Sequence, residues 1–322
     1  MIHNYSKFIN GEIFTKKDIL KILENNKIKC QIIDIVYYQY KKIYIKINED
    51  GIVSILKLCL HKHSIELAKN ENYGYSFFNN DHNSKFNLPN YKQINVNKNY
   101  ALSKINFIKG NRGSYFEFAK FYKNNFSRKS RSVSIEDYIF STYKRFKIED
   151  YKNTAAEKFS NITKIILNKY KSTYITLDTS HGDFISFNSI KTNEKYYMFD
   201  LEFFRKDASF LYDYFHWHIS PLIFKSTKYK QQSFFLKIFP LFIKFLYFIF
   251  KKKYKKAIID NENSFKILLI LFLLERHALS LIERHALSKF SKLDNDELIT
   301  LNEKNFLSDN SNLYMNLIIK IL

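Results

Sequence analysis

The apolar positions change their period along the chain, and each change marks an element. Between Thr15 and Asn25, Ile19, Leu20, Ile22 and Leu23 recur at helical spacing and predict an amphipathic helix. From Cys30 the pattern becomes strand-like. Gln31 to Gln39, Ile43 to Asn48 and Ile52 to Leu60 are β-branched and aromatic runs, the last two joined by Glu49-Asp50-Gly51. A helical segment follows from about Ser64 to Phe78, then polar turn material as far as Pro89. Tyr91 to Asn97 and Ala101 to Ile108 complete five predicted antiparallel strands, and Gly110 and Gly113 follow as hinge points.

Ser114 to Tyr151 reads as helices interrupted by Ser127-Arg128-Lys129-Ser130-Arg131-Ser132, a basic loop that is solvated or binds an anionic acceptor. A helix from about Asn153 to Tyr170 leads to the apolar run Tyr174-Ile175-Thr176-Leu177. Phe187 to Lys191 and Lys195 to Leu201 are strand-like, separated by the polar turn Thr192-Asn193-Glu194, and form a predicted hairpin. Everything after Trp217 is expected to be helical. Within it, Glu275-Arg276-His277-Ala278-Leu279-Ser280 recurs as Glu283-Arg284-His285-Ala286-Leu287-Ser288, an echo too short for a solenoid.

The chemistry concentrates at 180–202. His181-Gly182-Asp183, then Asn188, then a hairpin, then an apolar strand ending in Asp200 is the order of a kinase catalytic loop and its metal-binding aspartate. Phosphoryl transfer needs a carboxylate beside the acceptor hydroxyl, here Asp183. It also needs hard oxygen ligands that hold Mg²⁺ against nucleotide phosphates, here Asn188 and Asp200. A hairpin brings Asn188 back beside Asp200. A lone His-x-Asp would be a tight turn and no more; the spacing, the hairpin and both oxygen ligands together argue for catalysis.

At these residues the chain resembles the aminoglycoside phosphotransferase and choline kinase-like families, which share the protein kinase-like fold and carry His-Gly-Asp. The succession His-Gly-Asp-Phe-x-x-x-Asn, Phe199-Asp200-Leu201-Glu202 and Tyr212-Asp213-Tyr214-Phe215-His216-Trp217 looks like the subset found in bacterial surface-polysaccharide and lipopolysaccharide gene clusters. Ser186-Phe187 departs from the Pro-Trp common in that subset. The resemblance implies an α+β, two-lobed kinase-like fold. Residues 1–110 would form a five-stranded nucleotide-binding lobe, and 111–322 a mostly helical catalytic and acceptor-binding lobe. It implies ATP and Mg²⁺ as cofactors, with Asp183 and His181 catalytic, Asn188 and Asp200 on the metal, and Asp213 opening a helix and fixing the loop backbone. Lys57 would pair the nucleotide phosphates, oriented by Glu71 or by Glu66, and Phe107-Ile108-Lys109-Gly110 would meet the adenine. The turn at Tyr40-Lys41-Lys42 has no glycine for a phosphate-cradling loop.

Composition then limits the alternatives. With 322 residues, 46% of them hydrophobic, the chain can bury a large core. A net charge of +21 invites a nucleic-acid partner. Lysine, asparagine, isoleucine, tyrosine and phenylalanine are abundant while arginine is scarce, which an AT-rich genome produces without selection for a partner, so nucleic acid is disfavoured. Anionic partners remain: nucleotides, phosphorylated glycans or acidic headgroups. Cys30 and Cys59 lie in strand-like runs and predict no disulfide, in keeping with a cytoplasmic protein, and the start lacks the layout of a secretory signal. His61-Lys62-His63 is too sparse for a metal site and is expected at the surface. The aromatic run Phe234 to Phe250, followed by Lys251-Lys252-Lys253-Tyr254-Lys255-Lys256, is too interrupted for a span; it reads as a buried helix or a peripheral contact with an anionic membrane.

The expected activity is phosphorylation of a hydroxyl on a small molecule or glycan, with a surface-glycan sugar favoured over an aminoglycoside or choline-type acceptor. A catalytically silent kinase-like protein that binds a nucleotide or glycan is the alternative of another class.

Overall fold

The computed structural model describes residues 7–9, 12–38, 42–80, 87–112, 131–146, 154–193, 195–253, 261–290 and 312–322. The chain divides into two compact units. One comprises Met1–Ser114, Ser186–Phe204 and Ala286–Glu297, the other Tyr115–Ile185, Arg205–His285 and Leu298–Leu322.

The first unit is built on a five-stranded antiparallel sheet. It contains β3 (Gln31–Tyr38), β4 (Lys42–Glu49), β5 (Ile52–Cys59), β6 (Tyr91–Val96) and β7 (Ala101–Asn106), in the order β3-β4-β5-β7-β6. Asp50 and Gly51, at φ 50 and 88, make the tight turn between β4 and β5 that the sequence announces. Alternation along the strands separates two faces. Ile43, Ile45, Ile47, Leu56, Leu58 and Leu102 pack with Ile19 and Leu23 of α1 (Lys16–Asn25). Thr15 and Asp18 form a capping box that fixes where α1 starts. On the other face, Cys59 and Ala101 meet Ile65 and Ala68 of α2 (Lys62–Asn80).

A short hairpin, β1 (Lys7–Ile9) with β2 (Glu12–Phe14), precedes α1; the sequence pattern gave no sign of it. His61 and His63 are half-buried at the start of α2, with Lys62 between them exposed, and the His63 N–H donates to His61 Nδ1 at 3.1 Å. Burial lowers the His63 pKa below the ordinary histidine value. Tyr40 and Lys41 of the glycine-free turn lie outside the described residues, as does Gly113.

A second, three-stranded sheet of this unit orders β12 (Tyr196–Met198), β11 (Ser189–Lys191) and β8 (Asn111–Arg112). Gly110 precedes β8, and a Cβ there would stand 2.4 Å from the Lys191 carbonyl oxygen. The glycine is required by that close approach of two backbones.

The second unit carries the antiparallel sheet β13-β10-β9, formed by Arg205–Ser209, Tyr174–Ser180 and Arg131–Ser134. Arg131 and Ser132, expected in a loop, belong to β9; the rest of that loop lies outside the described residues. Its helices are α3 (Ile135–Phe146), α4 (Thr154–Tyr170), α5 (Tyr212–Lys228), α6 (Gln232–Lys253), the first part of α7 (Glu262–Phe290) and α8 (312–321). Glu275 of α7 ties the helices to the sheet. Its carboxylate pairs with Arg205 of β13 and accepts from Tyr138 of α3, whose hydroxyl accepts from the Ser209 N–H at 2.9 Å. These side chains are buried, so the Arg205 and Glu275 charges and the Tyr138 hydroxyl find their partners inside the protein.

Candidate active site

Lys57 occupies the central strand β5, between Tyr44 of β4 and Ser103 of β7 in register. Its side chain is fully buried on the face that α2 covers. A buried ammonium needs partners, and three carboxylates supply them. Glu71 Oε2 lies 3.0 Å away, Asp200 Oδ1 2.9 Å, and Glu202 is in contact as well. Glu66, the competing sequence candidate, is exposed and pairs with Lys69 instead. Lys42 reaches Glu202 Oε2 at 2.5 Å.

Burial works against the Lys57 charge, but Asp200, Glu202 and Glu71 together hold its pKa well above the ordinary lysine range. Three carboxylates against two ammoniums leave one negative charge in excess. Glu71 carries the consequence: burial pushes its carboxyl up to about 7, with Asp200 and Glu202 adding to the rise. Carboxylate oxygens of Glu71, Asp200 and Glu202 lie within 4.8 Å of one another. Asp200 is the most open of the three, at 28% exposure.

The β11–β12 hairpin places Asn188 next to this set. Ser189 pairs with Met198, the Phe199 N–H donates to Asn188 O at 3.2 Å, and the next residue is Asp200. Thr192 N donates to Lys195 O at 2.9 Å and closes the turn. Ser186–Asn188 and Leu201–Phe203 are 3₁₀ turns, so the strands are shorter than their apolar runs. Asp200 has φ 66, a left-handed conformation uncommon outside glycine, of the kind that persists where the surroundings enforce it. Those surroundings are visible: Asn70 Nδ2 of α2 donates to Glu202 O at 2.6 Å and to Phe204 O at 3.1 Å. An amide and a carboxylate with charge in excess around them form a donor set that fits Mg²⁺. Ile108 and Gly110 lie on the connection from β7 to β8.

In the second unit, β10 ends in Ser180 and delivers His181-Gly182-Asp183. Asp213, in the first turn of α5, holds this loop: Oδ1 accepts from Ser180 Oγ at 2.8 Å and from the Gly182 N–H at 3.0 Å, and Oδ2 from the His181 N–H at 2.8 Å. Gly182 has φ 83, which a side chain would strain. His181 is buried, its Nδ1 accepting the Asp183 N–H at 3.3 Å. Phe184 anchors the loop from below, 5.4 Å from Trp217.

Asp183 itself is half-buried, and His216 Nε2 lies 3.1 Å from its Oδ1. Burial works against the Asp183 charge, yet the His216 hydrogen bond, with Arg276 and His181, holds the carboxyl well below the usual carboxylate range. Burial and Arg276 lower the His216 pKa, against the pull of Asp183. Sequence reasoning gave no role to Glu202, Lys42 or His216. Glu202 and His216 stood within recognised motifs, but the contact from Lys42 to Glu202 spans 160 residues and leaves no local pattern.

No protein-family model matches the chain, and no curated protein sequence matches it. Solved structures do. A thermostable mutant of aminoglycoside phosphotransferase APH(4)-Ia in apo form aligns over 93% of this chain and 96% of its own, with a TM-score of 0.56 and 9% identity. A further variant of that mutant, in ternary complex with AMP-PNP and hygromycin B, aligns over 92% of this chain and 97% of its own, with a TM-score of 0.53 and 9% identity. The chain has the kinase-like fold of these structures.

Proposed function

We propose that this protein is an ATP- and Mg²⁺-dependent phosphotransferase acting on a hydroxyl group of a small molecule or glycan. The observation that carries the reading is the buried Lys57 paired with Glu71 and Asp200, with the hairpin that returns Asn188 to Asp200. Lys57, steadied by Glu71, donates to the nucleotide phosphates, and the backbone around Ile108 and Gly110 serves the base. Asn188 and Asp200 would hold Mg²⁺, which when bound neutralises phosphate charge. Asp183 takes the acceptor hydroxyl proton as the acceptor oxygen bonds to the terminal phosphorus and the bond from that phosphorus to the nucleoside diphosphate breaks. Asp213 and His181 hold the loop in place for this step. In this reading 1–110 is the nucleotide lobe and 111–322 the catalytic and acceptor lobe.

The favoured acceptor is a sugar of a surface glycan or its precursor, in lipopolysaccharide or surface-polysaccharide synthesis. It is supported by the three motifs around Asp183, Asp200 and Asp213 and by the net charge of +21, which suits phosphorylated glycans. An aminoglycoside-type acceptor is the second reading, favoured by the hygromycin B in the similar structure. A need for ATP assigns the enzyme to the cytoplasm, and a lipid-linked acceptor would bring it to the membrane face.

Thermal shifts with Mg-ATP test the nucleotide site: a ligand bound only by the folded state raises the melting temperature of the wild type and not of Asp200→Ala. Equal shifts would remove Asp200 from the site. ATP consumption against sugars, sugar phosphates and aminoglycosides then separates the acceptors, and no consumption with any of them would favour a silent binding protein.

A further inference from the structure

The two faces of α6 differ. Phe235, Phe239, Ile243, Leu246 and Phe250 are buried at helical spacing and form its seam with the second unit. Tyr214 of α5 reaches that seam, its hydroxyl donating to Leu246 O at 3.4 Å, and Phe265 of α7 lies 5.3 Å from Tyr247. The opposite face carries Phe234, Ile238, Leu241, Phe245 and Phe248, exposed by 64, 38, 70, 59 and 63%. Their spacing makes one continuous stripe, about 21 Å long at the rise of a helix. Large apolar side chains scattered singly are ordinary on a soluble surface; a continuous row of them marks a contact. The expectation of a buried helix is therefore half right, since only one face is covered.

Charge identifies what the stripe meets. Lys237, Lys244 and Lys252 are exposed along α6, and Lys225, Lys228 and Lys230 at the end of α5. Between Asp213 and Asp260 the chain has ten lysines and no aspartate or glutamate. A second copy docked by two-fold symmetry would set these lysines against their counterparts. An anionic bilayer satisfies both features, because aromatic side chains enter the headgroup boundary while lysine stems carry their ammoniums to the phosphates. The buried seam commits the other face to protein, and Lys237, Pro240 and Lys244 interrupt the run, so the helix lies along a membrane and does not cross it.

We propose that the outer face of α6, with the end of α5, is a docking surface for an anionic lipid bilayer. This gives a location to the membrane contact raised above, while its evidence is independent of the phosphotransfer reading.

The test uses the full chain without nucleotide or acceptor, so it is separate from any test of activity. Protein is floated with vesicles of phosphatidylcholine alone, or mixed equally with phosphatidylglycerol, at low and high salt. It is expected to float with the anionic vesicles at low salt, to be released by high salt, and to ignore phosphatidylcholine alone. Leu241→Ser with Phe248→Ser should weaken partitioning about tenfold for each side chain removed. Lys237→Gln with Lys244→Gln should weaken it about fivefold for each lysine. The lysine variant removes no apolar contact and carries the test if the serine variant misfolds. No flotation at low salt, or equal flotation with both vesicle types, overturns the proposal. So does a dimer, seen by sedimentation, that the serine changes dissolve, since the stripe would then belong to a second copy.

Discussion

His216 Nε2 and Asp183 Oδ1 lie 3.1 Å apart, with the imidazole buried and the carboxylate partly open. The ring stands against one carboxylate oxygen and so orients the group. His216→Ala should then lower turnover about tenfold to hundredfold through misplacement of Asp183, with KM for ATP unchanged. His216→Gln, which keeps a donor, should recover part of the loss. Steady-state kinetics of both variants decide it, and a rise in KM alone would point to a structural role.

Asp183→Asn should abolish phosphotransfer and keep the Mg-ATP thermal shift, because Asp183 is held by His216 and stands on the acceptor side of the proposed reaction. Turnover within about tenfold of wild type would take the carboxylate out of the mechanism.

Lys57→Met leaves Glu71, Asp200 and Glu202 with Lys42 as the remaining ammonium of the set. Removing one partner of a buried ionic group costs about 3–5 kcal/mol. A second change, Glu202→Gln, should return part of that stability because it removes excess negative charge. Urea denaturation of the single and double variants measures both effects.

Glu71 makes stability depend on pH in a defined direction. Its carboxyl rises from 4.5 to about 7, chiefly by burial, against the pull of Lys57. The folded state therefore keeps a proton that the unfolded chain has released. That contribution is complete below pH 4.5 and is lost as pH climbs through about 7. Wild type should lose stability relative to Glu71→Gln as pH rises across this window in ligand-free melts. A difference independent of pH would mean that Glu71 is ionised throughout.

Gly110→Ala brings a Cβ to 2.4 Å from the Lys191 carbonyl oxygen. Backbone cannot rotate aside as a side chain does, so a loss of about 1–3 kcal/mol is expected from overpacking. Chemical denaturation checks it, and an unchanged midpoint would show that β8 and β11 separate easily.

The sheet of the first unit was legible because its strands alternate over six to eight residues with polar turns between them. The β1–β2 hairpin was not, since three-residue strands are too short to establish a period. The strand lysine alone leaves Glu71 and Glu66 both open, although the helix carries a signal. Ile65, Ala68, Glu71, Tyr75 and Phe78 lie on one buried stripe of α2, and Glu66 falls off it. Composition identified α6 as apolar but could not say which side would find a partner. The partners of Glu202 and Asp183 depend on chain segments that meet only in the folded protein.

The repeated hexapeptide in α7 has a consequence for how that helix seats. Eight residues along an α-helix turn it by about 80° beyond two full circles and advance it by about 12 Å. A slide by one repeat would therefore rotate the helix as well as move it along its axis. Glu275, in the first copy, is keyed to Arg205 and Tyr138. Sliding the second copy into that lock would swing the buried residues from Leu268 to Leu274 away from their neighbours by the same angle. A duplication that looks like an invitation to slip is thereby barred from doing so, and α7 has a single register.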